Sequence, residues 1–233
     1  MTLKNRVVVI TGATGGLGKV ATQIMAREGA QLALIGTHAE RLSQLAAELE
    51  APPFTYAANL ADPQAAQSAA QAVADRFGRV EVVLHLVGGW LGGKPVAETP
   101  PNDLAQMLEQ HVWTTFYMAQ AFVPHLVRNH WGRLMVVSSP TALRPTAKSA
   151  PYAIGKAGQQ ALMLTLAQEL KGTGVTANSI LVSAIDTAHE RETAPSPKNA
   201  NWATPEEIAA LMVYLCSDEA RLVNGAQLPL QGG

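Results

Sequence analysis

The sequence predicts a doubly wound α/β fold: a parallel sheet of about seven strands with helices on both faces. Three observations carry that expectation. Short β-branched or apolar runs alternate along the chain with longer Ala-, Gln- and Glu-rich segments of helical pattern. The strand runs are apolar nearly throughout instead of alternating with polar residues, as strands are when helices cover both faces of the sheet. A glycine-rich stretch follows the first run and opens an amphipathic helix.

Taken in order, strands are expected over residues 6–10, 31–35, 54–57, 80–87, 133–137, 175–181 and 226–230. Helices fill the gaps, including a long one over 102–129, another over 152–171, and a closing one opened by Thr204-Pro205-Glu206-Glu207. Right-handed crossovers bring the carboxyl ends of parallel strands to one edge, so the ligand crevice is expected in the loops there. Residues 87–98 carry Gly88, Gly89, Gly92, Gly93 and Pro95, and 184–202 carry Pro195 and Pro197 among many polar residues; both read as loops. The second is longer than an ordinary connection and is read as a substrate loop, with disorder as the alternative. No linker, charge block or repeat divides the chain, so residues 1–233 are expected to form one domain.

Composition narrows the function classes. The 233 residues, 48% hydrophobic and 15% charged, can bury a full core without staples. Seventeen Lys and Arg against 18 Asp and Glu leave no excess positive field, which argues against nucleic-acid and anionic-membrane partners. A single cysteine, Cys216, supplies neither a disulfide nor a multi-cysteine metal site and reads as packing in a reducing compartment. The start, Met1-Thr2-Leu3-Lys4-Asn5-Arg6, leads into a strand-like run instead of a signal peptide, so a cytoplasmic location is expected. His38, His85, His125, His130 and His189 have no metal-ligand spacing and read as structural or surface residues; His125 and His130 flank a helix end, where a cation suits the dipole. No metal is expected.

The glycine stretch is Thr11-Gly12-Ala13-Thr14-Gly15-Gly16-Leu17-Gly18. Glycine lets the backbone turn tightly and approach a pyrophosphate, while free N–H groups at a helix start favour negative charge. A dinucleotide is therefore expected, against a glycine-rich turn with no ligand. An acidic side chain closing the second strand would accept from a ribose 2′-hydroxyl and repel a 2′-phosphate. Here the stretch is Ile35-Gly36-Thr37-His38, with no carboxylate before Glu40, and Thr37 or His38 can donate to a phosphate. NADP(H) is accordingly expected over NAD(H), although no arginine stands in the turn and Arg41 reads as a solvated helix residue.

Tyr152-Ala153-Ile154-Gly155-Lys156 begins a helix, setting Tyr152 and Lys156 a turn apart on one face. A nearby ammonium favours phenolate, so Lys156 is expected to draw the tyrosine down from about 10 toward neutrality. Ser139 follows the strand over 133–137, where its hydroxyl can share a substrate oxygen with Tyr152. Ser138-Ser139 taken alone is more often a strand-to-loop cap than a catalytic group.

Together these motifs resemble the short-chain dehydrogenase/reductase family in its short, single-domain form, with its Rossmann-type fold, over nearly the whole chain. The glycine stretch matches the family's Thr-Gly-x-x-x-Gly-x-Gly, Gly132 to Ser139 its strand leading to the catalytic serine, and Tyr152 with Lys156 its Tyr-x-x-x-Lys pair. The resemblance implies that Tyr152 is the acid/base, that Lys156 tunes it and holds the nicotinamide ribose, and that Ser139 orients substrate. It implies cofactor contacts from Gly12, Thr14, Gly16, Leu17, Gly18, Thr37, His38, Asn59, Leu60, Gly88, Tyr152, Lys156, Ile185 and Thr187. Asn178-Ser179-Ile180, the segment from Thr204 to Ala209 and the end at Gln231-Gly232-Gly233 are also similar to the family. Four departures stand out. His85-Leu86-Val87-Gly88 replaces Asn-Asn-Ala-Gly, Asn59 replaces an Asp beside the adenine, Val182-Ser183 replaces Pro-Gly, and His111 replaces the catalytic Asn of the proton relay.

The family implies hydride transfer between a nicotinamide cofactor and a carbonyl or alcohol substrate. The alternative from another class is a dinucleotide sensor or scaffold that keeps the fold without turnover. An enoyl reductase is disfavoured because such relatives resemble a wider Tyr-to-Lys spacing, and an extended-type epimerase needs a larger carboxyl-terminal domain. A homo-oligomer, tetramer or dimer, is expected through the helices over 102–129 and 152–171. His111 has two readings: a proton relay titrating near neutrality, or a helix residue packed with Trp113 and Phe116.

Overall fold

A computed structural model describes residues 3–231; Met1, Thr2, Gly232 and Gly233, and with them part of the readings of both chain ends, lie outside the described residues. Seven parallel strands form one sheet: β1 (Val7–Thr11), β2 (Gln31–Gly36), β3 (Phe54–Ala57), β4 (Val82–His85), β5 (Gly132–Ser138), β6 (Val175–Leu181) and β7 (Gln227–Pro229). Their order, β3-β2-β1-β4-β5-β6-β7, reverses direction between β1 and β4 and opens a crevice there at the carboxyl edge. The apolar runs are legible as strands because both faces are buried. In β1, Val7 and Val9 enter one core while Val8 and Ile10 enter the other.

The helices are α1 (Gly16–Arg27), α2 (Ala39–Ala47), α3 (Pro63–Phe77), α4 (Pro101–Leu108), α5 (Thr114–Arg128), α6 (Ala150–Glu169), α7 (Glu190–Thr193) and α8 (Pro205–Leu215). The core under α3, α5 and α6 gathers Ala66, Val73, Phe122, Leu126, Met163 and Leu166; that under α1, α2 and α8 gathers Leu17, Met25, Leu42, Leu45, Ile208 and Met212. Cys216 is buried in the second core, which pushes its thiol up to about 12, so its reading as packing holds.

Three expectations need correction. The long helix over 102–129 is α4 and α5 joined by a π-helical turn, Glu109–Trp113. The loop over 184–202 contains α7, whose start is capped by Asp186: its carboxylate accepts from the Glu190 and Arg191 N–H groups at 2.8 and 2.9 Å. This loop is ordered and strapped to α8, with Arg191 donating to Glu207 at 2.5 Å and His189 meeting Glu206 at 3.1 Å. At the end of α5, burial and then Arg128 lower the His125 pKa, against the expectation of a dipole-stabilised cation.

Candidate active site

After β1 the chain turns through Gly12, whose φ is +71°. A Cβ there would lie 2.9 Å from the Leu86 carbonyl carbon and oxygen, so only glycine lets this turn rest against the chain leaving β4. Helix α1 then starts with Gly15 as N-cap, no side-chain cap and no acidic residue in its first turn. Its leading N–H groups are left to an anion, with the helix dipole in support.

Two adjoining cavities meet at this turn and share Gly12, Gly15, Leu86, Val87 and Gly88. The smaller, about 200 Å³, is lined by Thr14, Gly36, Thr37, Asn59 and Leu60; the larger, about 820 Å³, by Gly16, Leu17, Gly18, His111, Tyr152, Lys156 and Ile185. A two-lobed crevice pinched over an uncapped helix start fits a dinucleotide with its pyrophosphate at the pinch. Asn59 uses its amide oxygen on the Ala61 N–H at 3.1 Å. Three residues anticipated at the site line neither cavity. His38 is exposed at the start of α2, Thr187 is exposed with its methyl where a Gly16 Cβ would meet it at 2.7 Å, and Ser139 is buried beside Tyr152.

Tyr152 sits in the first turn of α6. Burial raises its hydroxyl above the ordinary phenol value, and the Ser139 side chain beside it draws it part of the way back. Ser139 also caps the short turn after β5, accepting from the Thr141 N–H at 3.2 Å. Lys156, one turn on, is 5% exposed and lies with Nζ 6.0 Å from the Tyr152 ring centroid. It donates to the Val137 carbonyl at 2.7 Å and to Gln159 Oε1 at 3.0 Å. Burial brings its pKa down to about 7. The expectation that Lys156 pulls Tyr152 toward neutrality is therefore corrected: desolvation dominates both groups and moves them in opposite directions.

His111 lies in the π-helical turn and is fully buried, whereas Trp113 and Phe116 are exposed, so it does not pack in their cluster. Its ring meets Tyr152 edge-to-face at 5.6 Å between centroids. Nε2 lies 2.9 Å from the Gly89 carbonyl, which can only accept, so the proton is on Nε2 and Nδ1 carries a lone pair. That Nδ1 is buried with no partner among the described residues, as is the Ser138 hydroxyl of another cavity-lining residue. Burial, then the Lys156 charge, lower His111 to about 3, so the expected titration near neutrality is also corrected. Its carbonyl accepts from Thr115 Oγ1 at 2.6 Å, and Thr115 Oγ1 accepts from Gln159 Nε2 at 3.0 Å. Gln159 thus ties Lys156 to the backbone of His111.

His85 explains the altered end of β4. It is buried between Thr11 Oγ1 at 2.8 Å and Thr114 Oγ1 at 3.2 Å, neutral because burial lowers it to about 3, and it joins β1 to the start of α5. Gln159 and Thr115, which stand behind Lys156 and His111, were not legible as site residues, because only the fold brings them together; Lys198 and Trp202 fall within the expected substrate loop over 184–202, and the structure sets both in the cavity wall. Among the described residues no cluster of His, Cys, Asp or Glu is arranged to hold a metal, and no helix is long and apolar enough to cross a membrane.

Residues 12–233 match the family model described as enoyl-(acyl carrier protein) reductase. The chain is 30% identical to D-threitol dehydrogenase of Mycolicibacterium smegmatis, over 99% of this chain and 93% of that one. It is 28% identical to the 3-oxoacyl-[acyl-carrier-protein] reductase of Thermotoga maritima, over 100% of this chain and 99% of that one. A crystal structure of a short chain dehydrogenase from Bacillus anthracis superposes with a TM-score of 0.88 at 28% identity, covering 98% of this chain and 95% of that one. With its sheet order, glycine turn and relatives in agreement, the chain belongs to the short-chain dehydrogenase/reductase family, oxidoreductases that use nicotinamide dinucleotides on alcohol and carbonyl groups.

Proposed function

We propose that this protein interconverts a carbonyl and an alcohol, with Tyr152 as acid/base. The observation that carries the reading is the convergence of Tyr152 and Lys156 on the 820 Å³ cavity, with Ser139 against Tyr152 and the cavity continuous with an uncapped helix start. Gly12, Gly16 and Gly18 admit the pyrophosphate, Asn59 and Leu60 flank the adenine, Thr14 and Gly88 line its approach, and Ile185 lines the nicotinamide half, with Thr187 outside the cavity against Gly16 and available to the cofactor from there. When bound, the nicotinamide gives or takes the hydride. Tyr152 Oη gives its proton to the substrate oxygen in reduction and takes one in oxidation. Ser139 donates to the same oxygen and holds it in place. Lys156 Nζ binds the ribose and returns a proton toward Tyr152, and neutral His111 offers Nδ1 as the acceptor beside it.

The four-residue Tyr152-to-Lys156 step argues for carbonyl chemistry over reduction of a carbon–carbon double bond. NADP(H) is the proposed cofactor, since Thr37 lines the smaller cavity and no carboxylate does. The segment over 184–202 is the proposed substrate loop of a single domain, small carbonyl or alcohol compounds its substrates, a homo-oligomer its working form and the cytoplasm its location. The test is Tyr152→Phe, assayed at the nicotinamide absorbance across a panel of ketones and aldehydes. Turnover is expected to fall about 10²–10⁴-fold with dinucleotide affinity retained. Dinucleotide binding with no turnover by the wild type would show a sensor instead.

A further inference from the structure

The 820 Å³ cavity takes three further side chains from two loops: Trp90, and Lys198 with Trp202. Two of the chain's four tryptophans thus line one cavity. Trp90 is 62% exposed on a loop whose Gly93 N–H donates to the Lys148 carbonyl at 2.8 Å, so a large apolar face stands open at the mouth. Lys198 Nζ lies 5.9 Å from the Trp202 ring centroid, within reach of its π-face.

Charge on the loop is distributed unevenly. Asp186 is taken up capping α7, Arg191 pairs with Glu207, His189 meets Glu206, and Glu190 and Glu192 are exposed on α7 and do not line the cavity. Among the described residues none of the ion pairs includes Lys198, and no carboxylate lines the cavity. The backbone beneath Lys198 is fixed. Asn199, 3% exposed, accepts from the Ser196 N–H at 2.8 Å and donates to the Ala194 carbonyl at 3.0 Å. Arg191 holds the Trp202 carbonyl at 2.7 Å, and Ile185 pairs with Ala203. An ordered turn therefore presents an uncompensated cation and an indole into the space where a substrate must lie. Such a site favours an anion attached to a flat apolar body, because the indoles gain from covering the body and the ammonium, exposed at the mouth of the cavity, gains from a charge-assisted hydrogen bond to a carboxylate.

We infer that the substrate is an aryl keto acid or the corresponding hydroxy acid, its carboxylate read by Lys198 and its ring by Trp90 and Trp202; this rests on the proposed alcohol–carbonyl reaction. The experiment compares phenylglyoxylate, 3-benzoylpropionate and 4-acetylbenzoate, which set the carboxylate at different reaches from the carbonyl, each against its methyl ester. Rates are measured with NADPH and NADH, and binding by quenching of tryptophan fluorescence with oxidised dinucleotide present. At least one acid is expected to exceed its ester tenfold or more in kcat/KM. Lys198→Gln should bring that ratio near one, mainly through KM. Lys198→Arg should keep most of the preference, and Trp202→Leu should weaken acid and ester alike. Esters equal to acids in all three pairs would overturn the inference, as would a Lys198→Gln variant that loses dinucleotide affinity while keeping its acid-to-ester ratio. If nothing turns over but an acid quenches fluorescence and Lys198→Gln abolishes the quenching, the carboxylate site stands and the proposed reaction falls. Loss of both turnover and Lys198-dependent quenching overturns the carboxylate site too.

Discussion

Lys156 is an ammonium largely withdrawn from water at the wall of the cavity, and its charge is the one in the site that changes near neutrality. Its pKa is down to about 7, from 10.5, through burial. Between those values the unfolded chain binds more protons than the folded one, so wild-type stability rises with pH across that window, and the burial penalty is fully present below about 7. Lys156→Met is expected to remove this dependence, so that urea denaturation from pH 6 to 10 shows the wild type gaining stability relative to the variant. Equal slopes would mean that the ammonium is not desolvated. His111, at about 3, stays neutral over the same range. A near-neutral limb in the pH profile of kcat then belongs to Lys156 and is expected to persist in His111→Asn, which keeps an acceptor near Lys156. His111→Ala, which leaves the Gly89 carbonyl without its donor and opens a void, should slow turnover; a limb that vanishes in His111→Asn would return the proton relay to His111. At the second strand's end, a Cβ on Gly36 would find Thr14 Oγ1 at 3.5 Å and Leu42 Cδ2 at 3.6 Å, both ordinary contacts. Gly36→Asp should therefore fold, and it should turn kcat/KM toward NADH by at least tenfold, about 1.4 kcal/mol. Tyr152, Lys156 and the glycines were legible because one turn of helix and one tight turn fix their spacing locally. Their protonation was not, because burial depends on residues such as Gly88, Gly89 and Gln159 that only the fold gathers.

At the scale of elements, the strands were read within one to two residues at most ends because a doubly covered sheet leaves a continuous apolar run. The π-helical turn was not read, because its cause is tertiary. Helix α6 carries Gly155 and Gly158 against the bulged segment: a Cβ on Gly155 would stand 2.8 Å from the Met107 carbonyl oxygen and 3.1 Å from His111 Cδ2, and one on Gly158 2.7 Å from Val112 Cγ2. The widened turn brings His111 inward between Gly88 and Gly155, in keeping with the frequent use of such turns at functional sites. Gly155→Ala is expected to push α4 and the π turn off α6. The cost is about 1–3 kcal/mol by urea denaturation, with a fall in kcat that exceeds the change in dinucleotide affinity. Unchanged stability and kcat would show that the close approach has slack. Helix α7 was missed for the same kind of reason: four residues are too short to announce a helix, and the cap that starts it, Asp186, is distinguished from any other loop carboxylate only by the N–H groups it accepts.

For the whole molecule, burying two cores on either side of one sheet leaves an apolar remainder outside. Trp113, closing the π-helical turn, and Phe116, in the first turn of α5, are 47% and 38% exposed, and on α6 Ile154 and Leu164 are 48% and 37% exposed. Five of the seven exposed positions of α6, Ile154, Ala157, Ala161, Leu164 and Gln168, recur every three or four residues, which makes one stripe along the helix with small residues at its centre; Thr165 and Glu169 flank it. Trp113 stacks on Tyr117 and meets Phe116 edge-on, so the aromatic group beside that stripe is preassembled and pays little side-chain entropy on being covered. A stripe of this kind meets its own copy across a two-fold axis, where small residues let helices approach and the larger ones interdigitate. The proposed homo-oligomer is therefore expected to give twice or four times the chain mass by light scattering at micromolar concentration. Phe116→Glu combined with Leu164→Glu places two carboxylates, and by symmetry four, in that contact while touching neither core. It should yield a folded monomer with an unchanged circular dichroism spectrum. A wild type that scatters as a monomer would refute the assembly, and a double variant that keeps the wild-type mass would move the contact to another face.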